Sequence, residues 1–201
     1  MKKLVIASGN PGKIRELAAL LTPLGMELVP QSELGVADAE EPHETFVENA
    51  LAKARHASRI TGLPALADDS GLCVPALGGA PGVHSAYYAG REGARETRDA
   101  RNNARLVAEL RGHADRRANH SCVLVLMRVA DDPAPIVADA AWHGRIEAAP
   151  RGSGGFGYDP HFRPDGSTRT AAELGPEQKN RVSHRGQALQ RLLAQIAARQ
   201  V

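Results

Sequence analysis

The sequence predicts an α/β fold built on a mixed sheet, and three observations carry that reading. Strand-like and helix-like segments alternate through the first half of the chain, two long strand-like segments flank Asp131-Asp132-Pro133, and no internal repeat or low-complexity tract interrupts them. The length, 201 residues, fits a single domain spanning residues 1–201 and suffices for an ordinary core without metal or disulfide staples.

Each element has a local reason. Leu4-Val5-Ile6-Ala7 is a short continuous apolar run, as a buried strand requires. Gly9 breaks it, Asn10 stands where a helix cap is needed, and Pro11 suits the first helical position. Ile14, Leu17, Ala18 and Leu21 then recur at helical spacing until Pro23 and Gly25 end the helix. Met26 to Val29 predicts a second strand. Asp38, Glu40, Glu41 and Glu44 make the next segment acidic, and Thr45 with Glu48 spells a capping box for a long helix through Phe46, Ala50, Ala54 and Ala57. Ala65-Leu66-Ala67 predicts a short strand that ends in a turn at Asp68-Asp69-Ser70-Gly71. A Gly-rich stretch covers residues 78–90. Thr97 to Leu110 predicts a helix, and Gly112 to Asn119 a surface connection. Ser121 to Val129 and Ile136 to Glu147 predict two antiparallel strands. Residues 150–167 read as loop, and Leu189, Leu192, Leu193 and Ile196 mark a closing helix.

Composition narrows the class. Hydrophobic residues make up 42% and charged residues 24%, which excludes disorder, collagen and coiled coil. No apolar run approaches the ~20 residues that span a bilayer, so no membrane partner is expected. Behind Met1-Lys2-Lys3 the apolar run is only Leu4 to Ala7, too short for a secretory segment, so a cytoplasmic protein is expected. Cys73 and Cys122 lack any ligand or disulfide pattern and read as buried thiols in a reducing compartment. The net charge is +2 with scattered basic residues, which argues against a nucleic acid polymer as partner. Of the 25 basic residues only Lys2, Lys3, Lys13, Lys53 and Lys179 are lysine. In so Arg-rich a chain, a Lys inside a motif is a hint that a compact ammonium is wanted.

Five segments bear chemistry. Ser8-Gly9-Asn10-Pro11-Gly12-Lys13 joins a strand to a helix start, where N–H groups, the helix dipole and Lys13 attract phosphate; a capped turn with a surface Lys is the plainer alternative. Asp68-Asp69-Ser70 places two carboxylates at a strand end, where both could reach one Mg²⁺ or one could act as a general base, though acidic turns are common. Glu40-Glu41 matters only if it meets that pair in space. Of the seven aromatics, five (Tyr87, Tyr88, Phe156, Tyr158 and Phe162) lie in the two Gly-rich regions, which suits either base stacking or anchoring of loops. Lys179 and Ser183-His184-Arg185 offer donors near a helix start, or a simple Ser cap. The other histidines (His43, His56, His84, His113, His120, His143 and His161) show no metal-ligand spacing and read as surface or satisfied loop residues. Together the segments describe a nucleoside triphosphate site with Mg²⁺.

The motifs SGNPGK at 8–13, TFVENALAKA at 45–54, ADDSGL at 67–72, LGGAPGVHSA at 77–86, GGFGYDPHF at 154–162, TAAEL at 170–174 and SHRGQAL at 183–189 stand in order along nearly the whole chain. On these motifs the sequence resembles the inosine triphosphate pyrophosphatases. The resemblance implies a long curved mixed sheet with two lobes and a nucleotide cleft, a homodimer, Mg²⁺ dependence, and conversion of dITP, ITP and XTP to monophosphate and pyrophosphate. It implies that Ser8, Gly9, Asn10, Pro11, Gly12 and Lys13 hold the triphosphate, with Lys13 also taking up developing charge. Asp69 looks like proton acceptor and metal ligand, Asp68 stands beside it, and Glu41 or Glu40 looks like the second acidic metal contact. Ser70 touches substrate, and Phe156, Gly157, Tyr158 and Asp159 cover base and sugar. Lys179, His184 and Arg185 read the base. Tyr87 departs from the pattern, since family members often carry Arg there. A related pyrophosphatase for other modified nucleotides, or a nucleotide-binding regulator without turnover, are the competing classes.

Overall fold

The computed structural model describes residues 3–199; Met1 and Lys2 of the basic start lie outside the described residues. Six strands, β1 (Lys3–Ala7), β2 (Glu27–Pro30), β3 (Ala65–Cys73), β4 (Arg117–Met127), β5 (Ile136–Ile146) and β6 (Phe162–Pro164), form one sheet in the order β2-β1-β3-β4-β5-β6. β1 runs parallel to β2 and to β3, while β6 is antiparallel to β5, so the sheet is mixed, as the alternation of elements predicts. Five helices accompany it: α1 (Pro11–Leu21), α2 (Phe46–Thr61), α3 (Arg95–Glu109), α4 (Pro176–Val182) and α5 (His184–Ala198). None of the described helices is long and apolar enough to cross a membrane.

Local chemistry accounts for the helix starts. Asn10 Oδ1 accepts from the N–H groups of Gly12 (2.9 Å) and Lys13 (3.2 Å), fixing the first turn of α1. Thr45 Oγ1 accepts from the Glu48 N–H at 3.4 Å and donates to the Glu48 carboxylate at 2.5 Å, so the T-x-x-E pair does cap α2. At its other end Gly62 adopts φ 68°, the left-handed stop that glycine tolerates.

The chain divides into two compact units. The first comprises the segment up to Asp69, Cys122–Ala140 and the residues from Arg185 onward; the second comprises Ser70–Ser121 and Ala141–His184. Period-two alternation organises the first unit. Leu4, Ile6 and Leu66 pack with Leu17 and Leu21 of α1 and Leu189 and Leu192 of α5. Val5, Ala7, Ala65 and Ala67 turn the other way, onto Ala50, Ala54 and Ala57 of α2. The second unit has its own core, in which Leu106 of α3 and Leu110 at its C-terminal cap pack with Trp142, Ile146, Tyr158 and Phe162.

Several expectations are corrected. The strand predicted to stop at Ala67 continues to Cys73, because cations pair with both Asp side chains and the strand can carry them buried. β4 starts at Arg117, inside the segment read as surface connection, and its His120 is buried and stacked on His184. The stretch read as loop contains β6, too short at three residues to show a period. β6 lies so close to β5 that a Cβ on Gly144 would come within 2.4 Å of the Arg163 carbonyl oxygen. α4 escaped notice because its sequence, PEQKNRV, has no apolar stripe.

Candidate active site

β3 and the two helices that pack on opposite faces of it build the centre of the first unit. Asp68 continues the face of Leu66, and Asp69 that of Ala67, so their side chains diverge. This overturns the expectation of a turn from which both could reach one cation.

On one face Asp68, 1% exposed, accepts Lys13 Nζ at 2.6 Å, Arg185 Nε at 2.8 Å and the Cys122 thiol at 3.1 Å. Arg185, 1% exposed, also pairs with Glu16. Burial works against the Asp68 charge, but Arg185 and Lys13 outweigh it and hold the carboxyl well below the usual range. Burial drives the Cys122 thiol the other way, well above its ordinary value.

On the opposite face Asp69 Oδ1 meets Lys53 Nζ at 2.7 Å, and the same ammonium meets Glu41 Oε1 at 3.1 Å. Asp69 Oδ2 is buried and has no hydrogen-bond partner among the described residues. Burial raises the Asp69 carboxyl above its ordinary value, and Lys53 and Lys13 offset only part of the effect. For Lys53, burial opposes the charge, yet Asp69 and Glu41 together raise its pKa. Glu40 and Glu41 are both exposed, and it is Glu41 that reaches Lys53.

The Ser8–Lys13 turn carries the Asn10 cap that the sequence predicts. Pro11 has no N–H, and Asn10 takes those of Gly12 and Lys13, so the helix start is already capped from within. A Cβ on Gly9 would lie 2.3 Å from Asp38 Oδ2, so the bare backbone accommodates the chain's own carboxylate, which Gln31 Nε2 holds at 2.5 Å. Ser8 is buried and accepts from the Asn10 N–H at 3.1 Å.

The second unit holds the other predicted residues. Phe156 is half-buried, with Lys179 Nζ 4.8 Å and the Arg95 guanidinium 4.9 Å from its ring centroid. Asp159 Oδ2 accepts from the Phe156 N–H at 2.8 Å and from Lys179 Nζ at 2.6 Å. Tyr158 belongs to the core, and its hydroxyl donates to the Ser85 carbonyl at 2.9 Å, so its side chain anchors the loop. Ser70 is half-buried in β3. His184 stacks on His120 at 4.9 Å. The Arg185 guanidinium pairs with Asp68 and Glu16 in the first unit. Tyr87 lies under the Arg91 guanidinium, 3.9 Å from its centroid.

Lys53 is the residue that the sequence reading missed. The signal was available: it falls on the α2 stripe of Ala50, Ala54 and Ala57, where a lysine has no reason to stand unless buried with a partner.

The Asp69–Glu41 pair fits a Mg²⁺ ion. It offers hard carboxylate oxygens, one of them buried without a bond, and no group of three or more His, Cys, Asp or Glu among the described residues could hold a metal alone. Mg²⁺ commonly takes one or two carboxylates and completes its shell with water and phosphate.

An α/β sheet that carries buried carboxylates and lysines at adjacent positions is equipped to neutralise phosphate oxygens and to activate a water. The comparisons agree. The sequence model of the Ham1 family matches residues 4–195. A Ralstonia nicotianae protein named dITP/XTP pyrophosphatase is 62% identical over 98% of this chain and 97% of its own length. The solved structure of a HAM1 protein from Coxiella burnetii, 47% identical, matches with a TM-score of 0.89 over 98% of this chain and 100% of that one. A Mycobacterium abscessus structure described as nucleoside-triphosphatase / dITP/XTP pyrophosphatase is 45% identical, with a TM-score of 0.73 over 95% and 98%. The chain belongs to the Ham1 family.

Proposed function

We propose that this chain hydrolyses the non-standard purine nucleotides dITP, ITP and XTP to the monophosphate and pyrophosphate, with Mg²⁺ held by Asp69 and Glu41. The observation that carries the reading is Asp69 itself: a buried carboxylate with a raised pKa, one oxygen on Lys53 and the other without a hydrogen-bond partner among the described residues. The names of the relatives carry two of these substrates, dITP and XTP.

The residues divide the work. Asp69 orients a water and accepts its proton as it attacks the α-phosphorus. Lys53 and Lys13 bring positive charge to phosphate oxygens, and Ser8 and Asn10 add short polar groups. Bound Mg²⁺ would neutralise phosphate oxygens and the pyrophosphate leaving group. Arg185, read by resemblance as a base contact, also holds Asp68, which in turn holds Lys13. For the base, Phe156 offers a stacking face, and Lys179, steadied by Asp159, offers a donor that suits the 6-oxo group of inosine and xanthosine. An adenine 6-amino group would set donor against donor, and sites built on such bonds discriminate by ~10⁴-fold or more. A homodimer in the cytoplasm belongs to the same reading, supported by the resemblance and by the free thiols Cys73 and Cys122.

Hydrolysis of ITP with Mg²⁺, scored for products, is the test. IMP and pyrophosphate are expected, with kcat/KM for ITP far above that for ATP. Orthophosphate as product, equal rates for ATP and ITP, or tight ITP binding without turnover would each defeat the proposal.

A further inference from the structure

We propose that α3 is the platform that sets the purine-stacking ring, with Asp99 and Asn103 as positioning residues for Phe156; the proposal rests on the stacking role given to Phe156 above. Arg95, Asp99 and Asn103 stand four residues apart on one face of α3, within the second unit. Asp99 Oδ2 accepts from the Gly157 N–H at 3.0 Å, and Asn103 Nδ2 donates to the Gly157 carbonyl at 2.8 Å. Asp159 takes the Phe156 N–H at 2.8 Å. Three successive peptide groups, on both sides of Phe156 and of Gly157, are thus each held by a side chain.

That density of side-chain bonds needs a reason. Residues 155–158 form neither strand nor helix, so no ladder fixes them. Gly157 adopts φ 63°, a conformation that leaves the ring direction to whatever holds the two flanking peptides. Asn103 is nearly buried, and its second donor bond goes back to the Asp99 carbonyl at 2.8 Å, which locks its amide plane. Arg95, paired with Asp99 at 3.8 Å, adds its guanidinium over the ring. A ring held this way meets a base without first having to be ordered, so the clamp acts on binding rather than on the bond-breaking step.

Steady-state kinetics of the full chain on ITP with Mg²⁺ test this. Asp99→Ala and Asn103→Ala should each raise KM about tenfold and hold kcat within about twofold. Asp99→Asn keeps an oxygen for the Gly157 N–H and should restore KM. Phe156→Ala should raise KM on its own by roughly ten- to a hundredfold, and Asp99→Ala should add nothing in that background, since the ring it positions is gone. If Phe156→Ala raises KM while Asp99→Ala and Asn103→Ala leave it unchanged, or if the losses simply add, the clamp is wrong and the stacking role stands. If Phe156→Ala leaves KM unchanged, the stacking role falls and the clamp falls with it. Partial unfolding of a variant would lower kcat and spare KM, the reverse of the expected split, and would also count against the clamp.

Discussion

On one side of β3, Asp68 is met by an ammonium, a guanidinium and a thiol; on the other side its neighbour Asp69 is met by a single ammonium and keeps one oxygen without a partner. Both side chains are buried, at 1% and 4% exposure, so depth does not separate them. The number of partners does. The Asp68 carboxyl is driven well below the usual range, while that of Asp69 is raised. A carboxylate with its hydrogen bonds filled stabilises the fold and its neighbours. One left short of partners is held ready for a water or a metal ion. On the proposed reading, one strand carries a structural charge and a working charge at adjacent positions.

Three substitutions test that contrast. Asp69→Asn should lower kcat by ~10²–10⁴-fold with the melting temperature unchanged, the scale of general-base loss; near wild-type turnover would end its assignment. Asp68→Asn should act on the fold instead, costing about 3–5 kcal/mol in urea unfolding, because Arg185 and Lys13 would be left with an unmatched buried charge. A stable Asp68 variant that loses more kcat than Asp69→Asn would reverse the two roles. Glu41→Gln, at the carboxylate that pairs with Lys53, should raise the Mg²⁺ concentration for half-maximal activity by roughly 10–100-fold, whereas Glu40→Gln should stay within about twofold of wild type. Equal shifts for the two would place the metal elsewhere.

Much of the fold was legible because local signals and packing agree. The Asn10-Pro11 start of α1, the Thr45 cap and the Gly62 stop of α2 are where their residue types demand. The mixed order followed from alternation then hairpin. The site was legible by residue type but not by partner. Asp-Asp-Ser-Gly reads as a turn because nothing in a local window reports that Lys13, Lys53 and Arg185, distant in sequence, will neutralise it. The scarcity of lysine was the better guide: Lys13, Lys53 and Lys179 all lie buried or nearly so, at 13%, 10% and 6% side-chain exposure, each on an Asp. His184 stacks on His120 and Arg185 pairs with Asp68, contacts that no motif could show.

The self-capped turn from Ser8 to Lys13 has a thermodynamic consequence. Asn10 satisfies two amides and shapes the loop before any nucleotide arrives. The conformational entropy of that segment is surrendered at folding, and association need not surrender it again. On the proposed reading, attraction at this end of the molecule falls to the Lys13 ammonium, held on Asp68, rather than to free backbone N–H groups, so added salt should weaken capture of a polyanion more than it would in a loop of bare amides.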